Sequence, residues 1–180
     1  MNYGSFCICL WIKERILKRI YILRHAKSSW SDPTLADLQR PLNKRGRRDA
    51  PLMASIMKRF EYIPDVIYLS PSMRTRLTIE PVVEELNISQ ENVFLESSLY
   101  HGYYDDYESV IWGVNDEIDS ILMVGHNPGI TYIANSCDGP IIDNVPTCGL
   151  LVINSQVEKW QKFHFSESKL IAFHYPKMYK

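Results

Sequence analysis

From Arg19 onward the chain alternates short β-rich runs with longer helical patterns, and this alternation restricts the fold more than any other feature. Arg19-Ile20-Tyr21-Ile22-Leu23 reads as a buried strand. Beyond Asn43 and Gly46, residues Met53, Ile56, Met57 and Phe60 recur at i, i+3, i+4 and i+7, one apolar face of a helix. A second strand is expected over Asp65–Leu69, stopped by Ser70-Pro71, then a helix over Met73–Leu86 that Pro81 kinks or interrupts. A third strand (Asn92–Leu95), a helix from Asp105 to about Val114, a fourth strand (Ile121–Val124), a helix over Pro128–Asn135 and a fifth strand (Gly149–Ile153) follow. Trp160–Phe165 and Leu170–Phe173 are expected to form a final hairpin or edge strands. Strand then helix, repeated, predicts an α/β domain: a three-layer α/β/α sandwich with a mostly parallel central sheet.

A length of 180 residues suits one such domain, with no repeat or linker to mark a second. Residues 1–18 stand outside the pattern and are expected to be an N-terminal extension that the domain of residues 19–180 does not need. The apolar run Phe6–Ile12 is too short to span a bilayer and lacks the flanks of a signal peptide. Cysteines at 7, 9, 137 and 148 form neither a secreted disulfide framework nor zinc-ligand spacing. Reduced thiols, a cytoplasmic location and no bound metal or cofactor are therefore expected. Lys plus Arg total 20 against 21 Asp plus Glu, so the whole chain presents no field for nucleic acid or a membrane surface. A site that attracts anions has to be built locally.

In sheets of this type ligands bind outside the carboxyl ends of the strands. Three such ends are unusual: Leu23 runs into Arg24-His25, Leu69 into Ser70-Pro71-Ser72-Met73-Arg74, and Val124 into Gly125-His126-Asn127-Pro128-Gly129. Two guanidinium groups suit a phosphoryl dianion, since each offers paired planar donors and stays charged. A neutral imidazole held by a second hydrogen bond can attack phosphorus, and another can donate to an equatorial oxygen. Positioning and charge stabilisation carry most of phosphoryl transfer, so this set suffices without a metal.

These segments resemble the histidine phosphatase superfamily, the phosphoglycerate mutase-like fold. Arg24-His25-Ala26-Lys27-Ser28-Ser29-Trp30 with Arg40-Pro41-Leu42-Asn43-Lys44-Arg45-Gly46 is similar in particular to the SixA-type phosphohistidine phosphatase branch, as are Thr147-Cys148-Gly149 and Tyr175-Pro176-Lys177. The resemblance implies that His25 is the phosphorylated nucleophile, that Arg24 and Arg74 clamp the phosphoryl group, and that His126 completes the pocket. It puts Lys27, Ser28 and Arg40 near the pocket mouth. The family's usual Gly after the nucleophile is Ala26 here, a change frequent in that branch. Many superfamily members also place a carboxylic acid after the third strand to protonate an alkoxide. The corresponding stretch reads Leu99-Tyr100-His101-Gly102, between Glu96 and the pair Asp105 and Asp106, which makes His101 a possible proton donor and leaves Glu96, Asp105 and Asp106 as alternatives. Imidazole leaves as a weaker base than an alkoxide, so the missing carboxylate tilts the substrate toward phosphohistidine or another good leaving group.

The resulting expectation is a metal-independent phosphatase acting through a phosphohistidine enzyme on a phosphorylated protein or small compound. One rival is a phosphoglycerate mutase or sugar-phosphate phosphatase, which a general-acid carboxylate near His25 would favour. The other is a non-catalytic phosphate- or phosphoprotein-binding module. The run Lys44-Arg45-Gly46-Arg47-Arg48 is expected to be a solvated helix face rather than a nucleic-acid patch, and His164 and His174 to be surface or packing residues.

Overall fold

A computed structural model describes residues 18–180; the expectations for the Phe6–Ile12 run and for Cys7 and Cys9 lie outside the described residues. The elements are β1 (Lys18–Arg24), α1 (Lys44–Arg59), β2 (Val66–Leu69), α2 (Met73–Leu86), β3 (Val93–Leu95), α3 (Tyr104–Trp112), β4 (Ser120–Gly125), α4 (Gly129–Ser136), β5 (Leu150–Ser155) and β6 (Lys169–His174). They build one six-stranded sheet in the order β3-β2-β4-β1-β5-β6.

Alternation along the strands assigns each face its own core. Ile20, Ile22, Ile121, Met123, Leu151 and Ile153 pack on Tyr107, Ile111, Ile130 and Ile133 of α3 and α4. Tyr21, Leu23, Ile67, Leu122, Val124 and Val152 pack on Met53, Met57, Ile79 and Val82 of α1 and α2. Helices thus cover both faces, giving the three layers expected.

The sheet is mixed, so the mostly parallel expectation holds only in part. β1, β2, β3 and β4 run in parallel, but β5 is antiparallel to both β1 and β6. The cause is the stretch 137–149, which carries the chain from the end of α4 back to the carboxyl edge, so that Leu150 pairs with Leu23. β6 consequently points the same way as β1, with His174 opposite Leu150. The carboxyl edge therefore gathers the ends of β1, β2, β4 and β6 together with the start of β5.

Three further details differ from the sequence expectations. Trp160–Phe165 is no strand: it folds as short 3₁₀ turns that bury the rings of Trp160, Phe163 and Phe165 in the core. Side chains replace a ladder there, with Trp160 N–H donating to Asp116 Oδ1 and Phe165 N–H to Glu108 Oε1, both at 2.8 Å. The hairpin partner of β6 is β5. Of the two effects expected of Pro81, interruption does not occur: α2 runs on through it, with Thr78, Ile79, Val82, Val83 and Leu86 buried on both sides of the missing donor. Finally, Lys18 belongs to the domain. Its ammonium is buried, donating to the Asp116 and Ile118 carbonyls at 2.7 Å and to Asp119 Oδ1 at 2.8 Å.

Candidate active site

Leaving β1 at Arg24, the chain passes along the first turn of α1 before entering that helix. Asn43 caps α1 by accepting from Gly46 N–H at 2.9 Å, and its own N–H donates to the Lys27 carbonyl at 2.9 Å. A Cβ at Gly46 would stand 2.3 Å from that carbonyl oxygen, so only glycine allows the approach. Similarly, a Cβ on Gly125 at the end of β4 would meet the Tyr107 hydroxyl. The segments bearing His25 and His126 are seated by these contacts.

Arg74, on the first turn of α2, is held against β1 by a buried threonine. Thr78 Oγ1 donates to the Arg74 carbonyl at 2.6 Å and accepts from Ala26 N–H at 2.9 Å. The result is a cavity of about 260 Å³ at the carboxyl edge, lined by Arg24, His25, Lys27, Ser28, Arg40, Arg74, His101 and His126, with Trp30, Asp37, Asn127 and Thr147. His25, Arg24, Arg74, His126, Lys27, Ser28, Arg40 and His101, all singled out in the sequence, line this one cavity.

His25 Nδ1 lies 2.7 Å from the Ala26 carbonyl oxygen. A carbonyl only accepts, so Nδ1 carries the proton and Nε2 keeps a lone pair. Burial, opposed by that backbone bond and reinforced by the charges of Arg74, Arg24 and Arg40, depresses the imidazole from 6.5 to about 4. The ring is neutral at ordinary pH.

His126 is fixed differently. Arg74 Nη2, which can only donate, is 3.3 Å from its Nδ1, so Nε2 carries the proton and donates to Ser70 Oγ at 2.8 Å. Burial first, then the neighbouring His25 and Arg74, lowers it from 6.5 to about 2. In this arrangement its proton is directed at Ser70. Donation from Nδ1 to a phosphoryl oxygen requires loss of the Arg74 contact and either a second proton or the other neutral tautomer, in which the Ser70 hydroxyl donates to Nε2.

Sequence reasoning missed Asp37. Arg74 donates to its carbonyl at 2.7 Å and to Oδ2 at 2.9 Å, Arg40 to Oδ1 at 2.6 Å, and the Tyr100 hydroxyl to Oδ2 at 2.7 Å. Against the cost of desolvation, the Tyr100 hydrogen bond and the charges of Arg74 and Arg40 hold this carboxyl at about 2. Asp37 lies in a connecting segment with no hydrophobic period, and only its place three residues before Arg40 hinted at the pair. Arg40 also donates to Ser28 Oγ at 2.8 Å and lies 3.3 Å from the centre of the exposed Trp30 ring.

The possible proton donors separate clearly. His101 lines the cavity with its backbone in the left-handed region (φ 60°), which among residues other than glycine favours asparagine, aspartate and histidine. Glu96 instead accepts from Ser98 N–H at 3.0 Å, and Asp106 from Tyr103 N–H at 2.8 Å, as turn and helix caps. Neither they nor Asp105 line the cavity. His164 pairs with Glu108 and His174 packs among Phe60, Tyr62 and Tyr179, both outside the cavity lining.

Among the described residues, the buried side-chain polar atoms without a hydrogen-bond partner are Arg24 Nε and Asn127 Oδ1, and both residues line the cavity. Arg24 Nη1 is anchored by the Val145 carbonyl at 2.6 Å. Four cationic side chains face one carboxylate here, an environment suited to a tetrahedral anion. No group of three or more His, Cys, Asp and Glu among the described residues is arranged to hold a metal ion.

Comparison with known proteins identifies a family and a shared fold. Residues 20–109 match the family model described as the histidine phosphatase superfamily (branch 1). An uncharacterised chloroplastic protein of Arabidopsis thaliana is 30% identical over 155 residues, covering 82% of this chain and 71% of the relative. Among solved structures, a provisionally assigned phosphohistidine phosphatase SixA from Agrobacterium tumefaciens is 28% identical, with a TM-score of 0.75 over 88% of this chain and 98% of that one. A protein histidine phosphatase SixA complexed with tungstate shares the fold, with a TM-score of 0.76 at 21% identity over 90% of this chain and 99% of that one.

Proposed function

Because the chain belongs to the histidine phosphatase superfamily, on its SixA-type branch, we propose that it is a metal-independent phosphatase working through a phosphohistidine enzyme. The observation that carries this reading is the His25 Nδ1 bond to the Ala26 carbonyl, which leaves a neutral Nε2 lone pair in a cavity lined by Arg24 and Arg74. Nε2 attacks phosphorus in line, and the bond to the leaving group breaks with its electron pair on that group. Arg24 and Arg74 neutralise the equatorial oxygens, Arg74 with its geometry set by Asp37 and His126. His101 supplies the leaving group's proton. Water then attacks phosphorus, its proton returning to His101, and the P–N bond breaks with its electron pair on Nε2, releasing inorganic phosphate and restoring neutral His25. Lys27, Ser28 and Arg40 hold the substrate at the cavity mouth.

The substrate class is phosphohistidine in a protein, or a small phosphorylated compound with a good leaving group. A general-acid carboxyl near the nucleophile would favour a phosphoglycerate mutase or sugar-phosphate phosphatase. Asp37 is the carboxylate that lines the cavity, but three donors hold it ionised, so it supports no such acid. Trapping with labelled substrate tests the reading. An acid-labile, alkali-stable adduct is expected in the wild type and not in His25→Ala, with turnover unchanged by chelator. A chain that turns substrate over without the adduct would refute the mechanism, and a chain that binds phosphate without turnover would be a binding module.

A further inference from the structure

We propose that a second groove, beside the phosphoryl cavity, binds another anionic group of the same substrate, so that the preferred substrate carries a phosphate or carboxylate in addition to the phosphoryl group transferred. The inference deepens the phosphatase reading and rests on it for the word substrate.

The groove follows from topology. Since β6 runs parallel to β1, the chain after His174 emerges at the same edge as His25, and the first turn of α1 lies there too. Together they enclose a volume of about 320 Å³ lined by Arg45, Lys177 and Lys180 over an apolar floor of Pro146 and Pro176. Thr147 lines both this groove and the phosphoryl cavity, and Arg45 Nη2 donates to its hydroxyl at 3.2 Å. The two spaces therefore adjoin.

Their charge is concentrated. The groove carries three cations against Asp49, and the cavity four against Asp37, on a chain whose formal net charge is −1. Asp49 is buried and already engaged by Lys180 at 2.8 Å and Arg48 at 3.2 Å. No carboxylate among the described residues pairs with Arg45 or Lys177. Fold stability gives no reason to place exposed, unpaired cations together beside a cavity that is itself strongly positive, since like charges repel. An anion spanning both spaces relieves that repulsion, and the apolar floor strengthens the attraction.

Calorimetric titration of the full chain with a ladder of α,ω-alkanediol monophosphates and bisphosphates tests this directly, and inhibition of p-nitrophenyl phosphate turnover gives a parallel readout. At the best chain length the bisphosphate is expected to bind at least tenfold tighter than its monophosphate. In Arg45→Ala/Lys177→Ala that ratio should fall to within twofold of unity, whereas Lys177→Arg should retain it. A second arm compares phosphohistidine peptides flanked by Glu with the same peptides flanked by Gln. A gain in either arm that the double variant abolishes supports the inference and tells a small polyanion from an acidic polypeptide. Equal affinities within both pairs, or a preference that survives in the double variant, would overturn it. Absence of turnover alone would refute the phosphatase reading and leave the binding comparison decisive.

Discussion

At the scale of single residues, the site is governed by which nitrogen of each imidazole holds a proton. Both rings are neutral because burial and nearby guanidiniums disfavour the charged form, and this makes acid stability a direct readout. The unfolded chain protonates both histidines near 6.5, whereas the folded one resists until about 4 for His25 and about 2 for His126. Protons therefore bind the unfolded state preferentially as pH falls below 6.5, and stability drops. Between pH 7 and 5, His25 alone should account for roughly 2 kcal/mol of that loss. Urea unfolding at the two pH values should show a loss smaller by that amount in His25→Ala, the variant also expected to form no phosphoenzyme. Arg74→Ala should lower kcat by about 10²–10³ in steady-state assays, as expected for removing a charge-assisted clamp. Arg74→Lys should recover little, because one ammonium cannot reach both the carbonyl and carboxylate of Asp37 while holding a phosphoryl oxygen.

Between elements, small side chains decide whether those residues meet. Thr78 joins the Arg74 carbonyl to Ala26 N–H, and Thr78→Val leaves both buried groups without that partner. A cost of about 1–3 kcal/mol in urea unfolding is expected, with a fall in kcat as Arg74 loses its register with His25. Gly46→Ala should push the Lys27 segment off α1, costing about 1–3 kcal/mol and raising KM more than it lowers kcat. The strands and helices that these contacts join were legible in the sequence, because apolar periodicity is a local property: Met53, Met57 and the alternation in Ile20–Leu23 needed no partner to be read. The four catalytic candidates were legible for a related reason, as arginines and histidines at or just beyond the ends of apolar strands. Asp37, Tyr100 and Thr78 were not, since each acts only through a partner distant in the chain.

For the molecule as a whole, two cores on either side of one sheet carry the fold, and the aromatic plug of Trp160, Phe163 and Phe165 closes one of them. Trp160→Ala should cost about 3–5 kcal/mol in urea unfolding while leaving phosphoenzyme formation at permissive temperature, because the plug belongs to the core on the α3 and α4 side and none of its residues lines the cavity. Reading that segment as a strand failed because alternation at 163 and 165 mimics a pleat, and only tertiary packing distinguishes a plug from an edge. The sense of β5 was equally hidden, depending on where a connecting segment chooses to return rather than on any local pattern. That reversal has a practical result. Since β5 is entered from the carboxyl edge, the stretch 137–149 borders the candidate site and holds Arg24 through the Val145 carbonyl, so its exposed residues before Val145 are where lengthening or redecoration can retune selectivity while that anchor is kept.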